Sequence, residues 1–258
     1  MNLYFKLVNM PVFSIADVNK YYDNIGSARS AVRRLLNAGM IKKIRNDMYT
    51  CVNGENGGVV ANKFQIGCSI NEGAYISHHS AMEYYGIMDQ VFYDVYVTST
   101  KSFSDFEFEG YRYHHIYPSI ECGVQEQEYS GGIVVTDKER TVLDSIKDMD
   151  KIAGIEEVLS NVEASGRLQE KKLLKYLEQY NNQFLYQKVG YLLSLPPDKH
   201  GLSETFFELC KTKIQKSKRY LTKDVTGGEY VSTWQLIVPS NLKNMKNGDI
   251  CCQSERSY

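Results

Sequence analysis

The chain has 258 residues, of which 43% are hydrophobic and 24% charged, a composition typical of an ordinary globular protein. No run of 18 apolar residues is present, and the first ten residues lack the long apolar stretch of a secretory signal peptide, so we predict a cytoplasmic protein with no membrane partner. The six cysteines are scattered without a C-x-x-C pair, which argues against a zinc site or a disulfide framework.

The formal net charge of −1 conceals an uneven distribution along the chain. Residues 1–50 carry a net charge of +5, residues 51–150 a net charge of −10, and residues 151–258 a net charge of +4. A basic N-terminal segment next to an acidic one indicates that only part of the surface meets a polyanion.

The basic segment begins with a predicted helix-turn-helix. A short helix over 14–22 has Ser14 as its N-cap and Asp17 three residues later, and Asn24 and Gly26 supply a turn. A second helix over 27–38 is amphipathic, with alanine, valine and leucine on one side. Groups that contact phosphates and base edges occupy the other side, namely Ser27, Arg29, Ser30, Arg33, Arg34 and Asn37.

A basic hairpin is predicted directly after this helix. Gly39 ends the helix, and the sequence MIKKIRNDMYTCV alternates around a turn at Asn46-Asp47. The candidate contacts on this hairpin are Lys42, Lys43, Arg45 and Asn46. Because a basic hairpin after a recognition helix is the wing of a winged helix, we predict that residues 1–52 bind DNA. An amphipathic helix at a protein interface, followed by a solvated hairpin, is the alternative.

The turn-rich sequence NGENGG (53–58) marks the predicted boundary to a second domain, 59–240, and residues 241–258 form a polar tail that includes Cys251 and Cys252. We therefore predict an α+β protein, an N-terminal winged helix-turn-helix followed by a mixed α/β domain that ends in a helical segment and a late strand. The elements predicted for the second domain are a helix near 59–70, a strand 75–77, a helix 79–86, a strand 91–98, a hairpin over FEFEGYRYHHIYP, and a strand that leads into a helix capped by Thr136 with Glu139.

The helical segment consists of predicted helices over 152–164, 170–180, 184–195 and 203–218, interrupted by Pro196-Pro197. The late strand lies in GGEYVSTWQLIVPS. The last helix ends in a basic run that offers either a second phosphate contact or compensation of the helix C-terminus. Its cations are Lys211, Lys213, Lys216, Lys218 and Arg219.

Catalytic patterns are weaker than the DNA-binding pattern. Neither His78-His79 nor His114-His115 has metal-ligand spacing. The sequence VVTDKE supplies carboxylates and a lysine, as a nuclease would need, but nothing in the sequence brings a second carboxylate group near them. We therefore predict no catalytic residue, no metal and no cofactor, and a DNA-tethered nuclease-like enzyme remains the alternative.

Five segments of the chain resemble the AbiEi antitoxins, which are transcriptional regulators of abortive-infection (type IV) toxin–antitoxin modules. In chain order they are GMIKKIRNDMY, YISHHSAMEYYGI, VTDKERTVLDSI, LYQKVGYLL and LSETFFEL, so the resemblance extends over nearly the whole chain. It implies a winged helix that binds operator repeats in double-stranded DNA and represses its own operon, where copies of the chain could associate on the DNA.

The resemblance further implies that the chain is not an enzyme. Its C-terminal domain would counteract a nucleotidyltransferase-like toxin by function, without a stable antitoxin–toxin complex. Where no toxin gene is adjacent, such a chain would be a stand-alone transcriptional regulator.

Overall fold

A computed structural model describes residues 3–88, 91–152, 154–195, 199–223, 227–240 and 242. Helices and sheets both occur in it, largely in separate runs along the chain, so the predicted α+β class is confirmed. No helix among these residues has the length and apolar character needed to cross a membrane. The predicted break at Pro196-Pro197, the Cys251-Cys252 pair and the predicted tail, apart from Leu242, lie outside the described residues.

The described chain divides into two compact units. The first unit contains the residues up to Tyr84 and those from Val91 to Thr136. The second unit contains Tyr85–Met88 and the residues from Asp137 on. The helices of the first unit are α1 (Leu3–Leu7), α2 (Ile15–Asn19), α3 (Ile25–Asn37), α4 (Lys63–Cys68) and α5 (His78–Tyr84). Its strands are β1 (Ile41–Arg45), β2 (Met48–Cys51), β3 (Tyr75–Ile76), β4 (Asp94–Thr98), β5 (Phe106–Phe108), β6 (Tyr111–Ile116), β7 (Val124–Glu126) and β8 (Val134–Thr136).

The second unit is mainly helical. Its helices are α6 (Lys138–Lys147), α7 (Met149–Ile152), α8 (Gly154–Ala164), α9 (Glu170–Tyr180), α10 (Gln183–Ser194) and α11 (Glu204–Thr212), and its strands are β9 (Arg219–Tyr220), β10 (Gly228–Val231) and β11 (Leu236–Pro239). Helix α6 packs against α8, α9 and α10, and β11 pairs with β10 on one side and β9 on the other. The sequence predicted to hold one late strand therefore forms two, β10 and β11, and β9 completes a small three-stranded sheet.

Local sequence explains the N-terminal elements. Ser14 caps α2 and forms the predicted capping box with Asp17, and Asn24 caps α3 through its side chain. Gly26, predicted to lie in the turn, is instead the second residue of α3, because the Asn24 cap starts the helix at Ile25. Gly39 follows the C-cap residue Ala38 with φ of +67°, a left-handed conformation that suits glycine.

These elements enclose a hydrophobic core of their own. The inward face of α3 supplies the buried residues Ala28 and Val32, which pack with Leu7, Val18 and the hairpin residue Tyr49. Strands β1 and β2 pair antiparallel around Asn46 and Asp47, as predicted, and Asp47 has a φ of +52°. The core fixes the outward direction of the polar face of α3.

The NGENGG segment, the predicted domain boundary, lies inside the first unit. Val52 and Val59 form an antiparallel bridge across it, and the backbone N–H of Val60 donates to Cys51 O at 2.9 Å. The segment is therefore a closed loop in which the chain turns back before α4 begins.

The rest of the first unit is a mixed six-stranded sheet with the order β5-β6-β4-β3-β8-β7. Strand β4 runs parallel to β6 and antiparallel to β3, and the predicted β5–β6 hairpin forms the edge. Helix α4 packs on β3 and β4, and α5 packs on β4 and β8. Strand β7 was not predicted, because VQE has no strand-like alternation of its own.

Several predicted helix ends are wrong. The helix predicted over 14–22 ends at Asn19, and the one predicted over 79–86 ends at Tyr84. Thr136 does not cap α6, because it is the last residue of β8; Asp137 is the cap and accepts from Arg140 N at 2.9 Å. Glu139, expected to close the capping box, instead accepts from Gln169 N. Helix α11 ends at Thr212 rather than Lys218, and the chain then enters β9.

Candidate nucleic-acid interface

The outer face of α3 is polar and exposed. The exposed side chains are those of the predicted contacts Arg29, Ser30, Arg33, Arg34 and Asn37. Ser27, in the first turn, is half-buried, and its backbone N–H donates to the Asn24 side chain at 2.9 Å. All six predicted residues of this helix therefore lie on one helical surface.

The three arginines of α3 carry charge that the described part of the chain does not neutralise. No ion pair or side-chain hydrogen bond joins Arg29, Arg33 or Arg34 to any described residue. Asp17, one of the two carboxylates that precede α3, accepts instead from Ser14 Oγ at 2.7 Å and from Lys20 Nζ at 2.8 Å. The guanidinium groups are thus available to an external anion.

A shallow depression runs along this face. Its lining residues are Tyr22, Asn24, Gly26, Ser27, Ser30, Arg33, Arg34 and Asn37. Sequence reasoning missed the contribution of Tyr22 and Asn24, although an asparagine directly before an amphipathic helix is an N-cap signal. The depression places hydroxyl, amide and guanidinium groups along one continuous surface.

The predicted contacts on the hairpin differ in their surroundings. Lys42 Nζ lies 2.7 Å from Glu109 Oε1, and the Arg45 guanidinium lies 5.0 Å from the centre of the Phe106 ring. Lys43 and Asn46 are exposed. Two of the four predicted contacts therefore already interact with other residues of the first unit, whereas Lys43 and Asn46 face solvent.

In the basic segment 211–219 of the second unit, some cations likewise interact with other residues of that unit and others face solvent. Lys211 Nζ lies 2.8 Å from Glu208 Oε1, Lys218 Nζ lies 4.7 Å from the centre of the Tyr230 ring, and the Arg219 guanidinium lies 5.4 Å from that of Phe184. Lys213 and Lys216 are exposed and form no ion pair with a described residue. Cation–π contacts and a helix-end ion pair therefore account for three of the five cations.

The carboxylates considered for nuclease chemistry are buried among protein donors. Asp137 Oδ2 accepts from Tyr176 OH at 2.7 Å and lies 3.0 Å from Lys172 Nζ, which also lies 3.5 Å from Glu139 Oε2. Asp144 pairs with Arg140 and accepts from Tyr180 OH. The structure thus holds Asp137 and Glu139, the two carboxylates of VVTDKE, against one lysine rather than around an open metal position.

The histidine pairs make hydrogen bonds within the fold. His78 Nδ1 and Ser77 Oγ are 2.8 Å apart, His79 Nε2 lies 3.1 Å from Asp94 O, and His115 Nε2 lies 2.9 Å from Ser99 O. Among the described residues, no group of three histidine, cysteine or acidic side chains could hold a metal ion.

No family model matches the chain, and no curated protein matches it. Its fold is similar to that in the crystal structure of the RV2827C protein from Mycobacterium tuberculosis, with a TM-score of 0.63. That similarity covers 92% of each chain at 11% sequence identity, so it concerns the fold alone.

Proposed function

We propose that residues 3–51 are a winged-helix DNA-binding unit, with α3 as the recognition helix and the β1–β2 hairpin as the wing. The order of elements supports this assignment, since two short helices precede α3 and an antiparallel hairpin follows it directly. In proteins of this class the recognition helix enters the major groove with its polar face towards the bases.

The observation that carries the proposal is the charge of the outer face of α3. Arg29, Arg33 and Arg34 are exposed and unpaired within the described chain, while Lys20, on the preceding turn, is paired with Asp17. Arg29 and Arg33 are one helical turn apart, so both can reach into the same groove. Arginine pairs bidentately with guanine and with phosphate, which makes this face suited to duplex DNA.

The AbiEi resemblance gives this DNA-binding unit a biological role. We propose a transcriptional repressor that binds operator repeats in its own operon in the cytoplasm. As an antitoxin, it would counteract a nucleotidyltransferase-like toxin without forming a stable complex with it. A chain without such a toxin would be a regulator only.

Binding of the purified chain to the DNA upstream of its own gene tests the repressor. We expect specific binding with Kd near 10⁻⁸ M or tighter at physiological salt, and at least 10³-fold weaker binding to a scrambled duplex. The double variant Arg29→Ala, Arg33→Ala should lose most of the difference in affinity between the two duplexes. The matched control Lys20→Ala should retain that difference. Equal affinity for both duplexes would contradict the proposal.

Two additions extend the same experiment to the remaining roles. Co-expression with the product of an adjacent nucleotidyltransferase-like gene should restore growth if the chain is an antitoxin. Incubation of the bound DNA with Mg²⁺ or Mn²⁺ should leave the DNA intact if the chain is a repressor. Metal-dependent cleavage that is lost on Asp137→Asn would instead favour the nuclease.

A further inference from the structure

We propose that the outward face of the three-stranded sheet in the second unit binds single-stranded RNA, with an unpaired base stacked on Tyr220 and phosphates held by the lysines around it. The sheet consists of β9, β10 and β11, and β9 begins at Arg219, the last cation of the basic segment 211–219. The proposal does not rest on the DNA contacts of α3, which belongs to the first unit.

Two tyrosines stand in one row across this sheet. Tyr220 on β9 and Tyr230 on β10 are both paired with Ile237 of the central strand β11. Directly paired side chains point to the same side of a sheet, so the three form a row in which two strand spacings, about 10 Å, separate the tyrosines. Leu236 and Val238, on either side of Ile237, are buried, so the row lies on the side that faces away from the core.

The ring of Tyr220 is open to a ligand. Its side chain is 58% exposed and has no ring, cation or hydrogen-bond partner in the described part of the chain. The ring of Tyr230 is occupied, since Lys218 Nζ lies 4.7 Å from its centre. A base can therefore stack on Tyr220, while Tyr230 holds a cation in the same row. Stacking on exposed aromatic rings is the contact by which sheets bind unpaired bases.

The charge around this row suits a polyanion. Lys213 and Lys216 are exposed and form no ion pair with a described residue, and Lys218 is exposed at the row itself. Glu229, the single acidic residue of the three strands, is paired with the buried Val238, so its side chain points to the opposite side of the sheet. Phosphates beside the stacked base would thus meet cations, and no carboxylate of the three strands competes for them.

A single strand fits this face better than a duplex. The bases of a duplex are stacked on one another and paired, so none of them can lie on an isolated tyrosine ring, whereas unpaired bases can. Loops and ends of RNA offer such bases permanently, but DNA offers them only where its duplex has been opened. RNA is therefore the nucleic acid to which this face is assigned.

Fluorescence anisotropy of the full chain with a labelled ten-nucleotide RNA of alternating cytidine and adenosine, which cannot pair with itself, tests the proposal. We expect Kd of about 100 μM or tighter at low salt. Tyr220→Ala should weaken binding about five- to 100-fold, because the stacked base loses its ring, whereas Tyr220→Phe keeps the ring and should bind like the unaltered protein. The matched control is Tyr129→Ala, at a fully exposed tyrosine of the first unit, which should leave RNA binding unchanged.

Two further variants separate this face from α3 and measure its charge. The double variant Arg29→Ala, Arg33→Ala should bind the RNA as the unaltered protein does. The double variant Lys213→Ala, Lys216→Ala should reduce the slope of log K against log salt by about 1.4, the value for two phosphate contacts on a single strand.

Several results would overturn the proposal. No binding of the RNA at 100 μM protein, to which about half of it should bind, would exclude this ligand. Unaltered affinity of Tyr220→Ala would remove its ring from the site, and loss of RNA binding in the α3 double variant would place the RNA on α3 instead. Tighter binding of the same sequence as single-stranded DNA, or of an RNA duplex, would assign the face to that other nucleic acid.

Discussion

Lys42 Nζ lies 2.7 Å from Glu109 Oε1, so a cation of the β1–β2 hairpin is neutralised by the turn of the β5–β6 hairpin. Both side chains remain partly exposed, and an ion pair of that kind contributes little to stability. It does change which hairpin residue can bind phosphate without giving up another partner. That residue is Lys43, which is exposed, whereas the guanidinium of Arg45 lies over Phe106.

We expect Lys43→Ala to flatten the salt dependence of DNA binding more than Lys42→Ala. Each lost phosphate contact lowers the slope of log K against log salt by about 0.9, and the loss should be similar for specific and scrambled DNA. Anisotropy titrations at four salt concentrations measure both slopes. If the slopes of Lys43→Ala and the unaltered protein coincide, the hairpin does not touch the phosphates.

Arg29→Ala and Arg33→Ala should each relax sequence preference at particular base pairs. Loss of a bidentate guanine contact costs about 1–3 kcal/mol of discrimination, and neither arginine has a described ion-pair partner whose loss would lower stability. Arg34→Ala should weaken specific and non-specific binding alike, as expected for a phosphate contact towards the edge of the face.

Binding to a panel of single-base operator changes, together with a melting curve for each arginine variant, measures this difference. A variant that melts at a lower temperature but keeps the full preference pattern would assign its arginine to structure rather than to base readout.

The periodic parts of the fold could be predicted from the sequence. The amphipathic pattern of 27–38 places the arginines on the exposed face, and Asn46-Asp47 marks the hairpin turn, because both signals are local. The pairing of Lys42 with Glu109 joins residues 67 positions apart, so no local pattern could indicate it.

Helix ends were predicted less well because tertiary partners compete for the same side chains. Thr136 has the sequence context of a capping residue, but strand β8 continues through it and pairs with Val124. Glu139 is drawn to the backbone N–H of Gln169 at the start of α9. The strand position of Thr136 and the hydrogen-bond partner of Glu139 both depend on elements more than ten residues away in sequence. The local motif alone therefore misplaced the cap by one residue.

Asp137→Ala should destabilise the second unit by about 2–4 kcal/mol. The change removes an N-cap bond, worth about 1 kcal/mol, and buried bonds to Tyr176 and Lys172, worth more because the carboxylate is charged. Thermal unfolding of the variant measures the loss, and Asp150→Ala, at an exposed acidic position close by, is the control. Equal melting temperatures would mean that Asp137 is not held in this network.

Asp17 should give a small stabilisation that disappears in acid. Partial burial acts to raise the pKa of its carboxyl, but hydrogen bonds from Lys20 and Ser14 outweigh burial and lower the pKa below 3.8. The folded state therefore holds the proton less tightly, so the stabilisation is present above pH 4 and is lost as pH falls through the lowered value. We expect Asp17→Ala to cost about 0.5–1 kcal/mol at pH 7 and less at pH 3, in paired melting curves.

Gly190→Ala should disrupt the packing of α10 against Trp234. A Cβ at Gly190 would lie 2.0 Å from Trp234 Cζ3 and 2.3 Å from Cη2, and the indole is 4% exposed, so it has no room to move away. Overpacking of this kind costs about 1–3 kcal/mol or more. Because Trp234 is the only tryptophan in the sequence, its fluorescence emission reports on this contact directly.

We expect Gly190→Ala to lower the melting temperature and to shift the emission of Trp234 to longer wavelength as the ring becomes more exposed. Gly54→Ala is the matched control, since a Cβ there meets no atom within 4 Å and the backbone needs no left-handed conformation. It should change neither quantity. If Gly190→Ala also left both unchanged, the indole would not lie against α10.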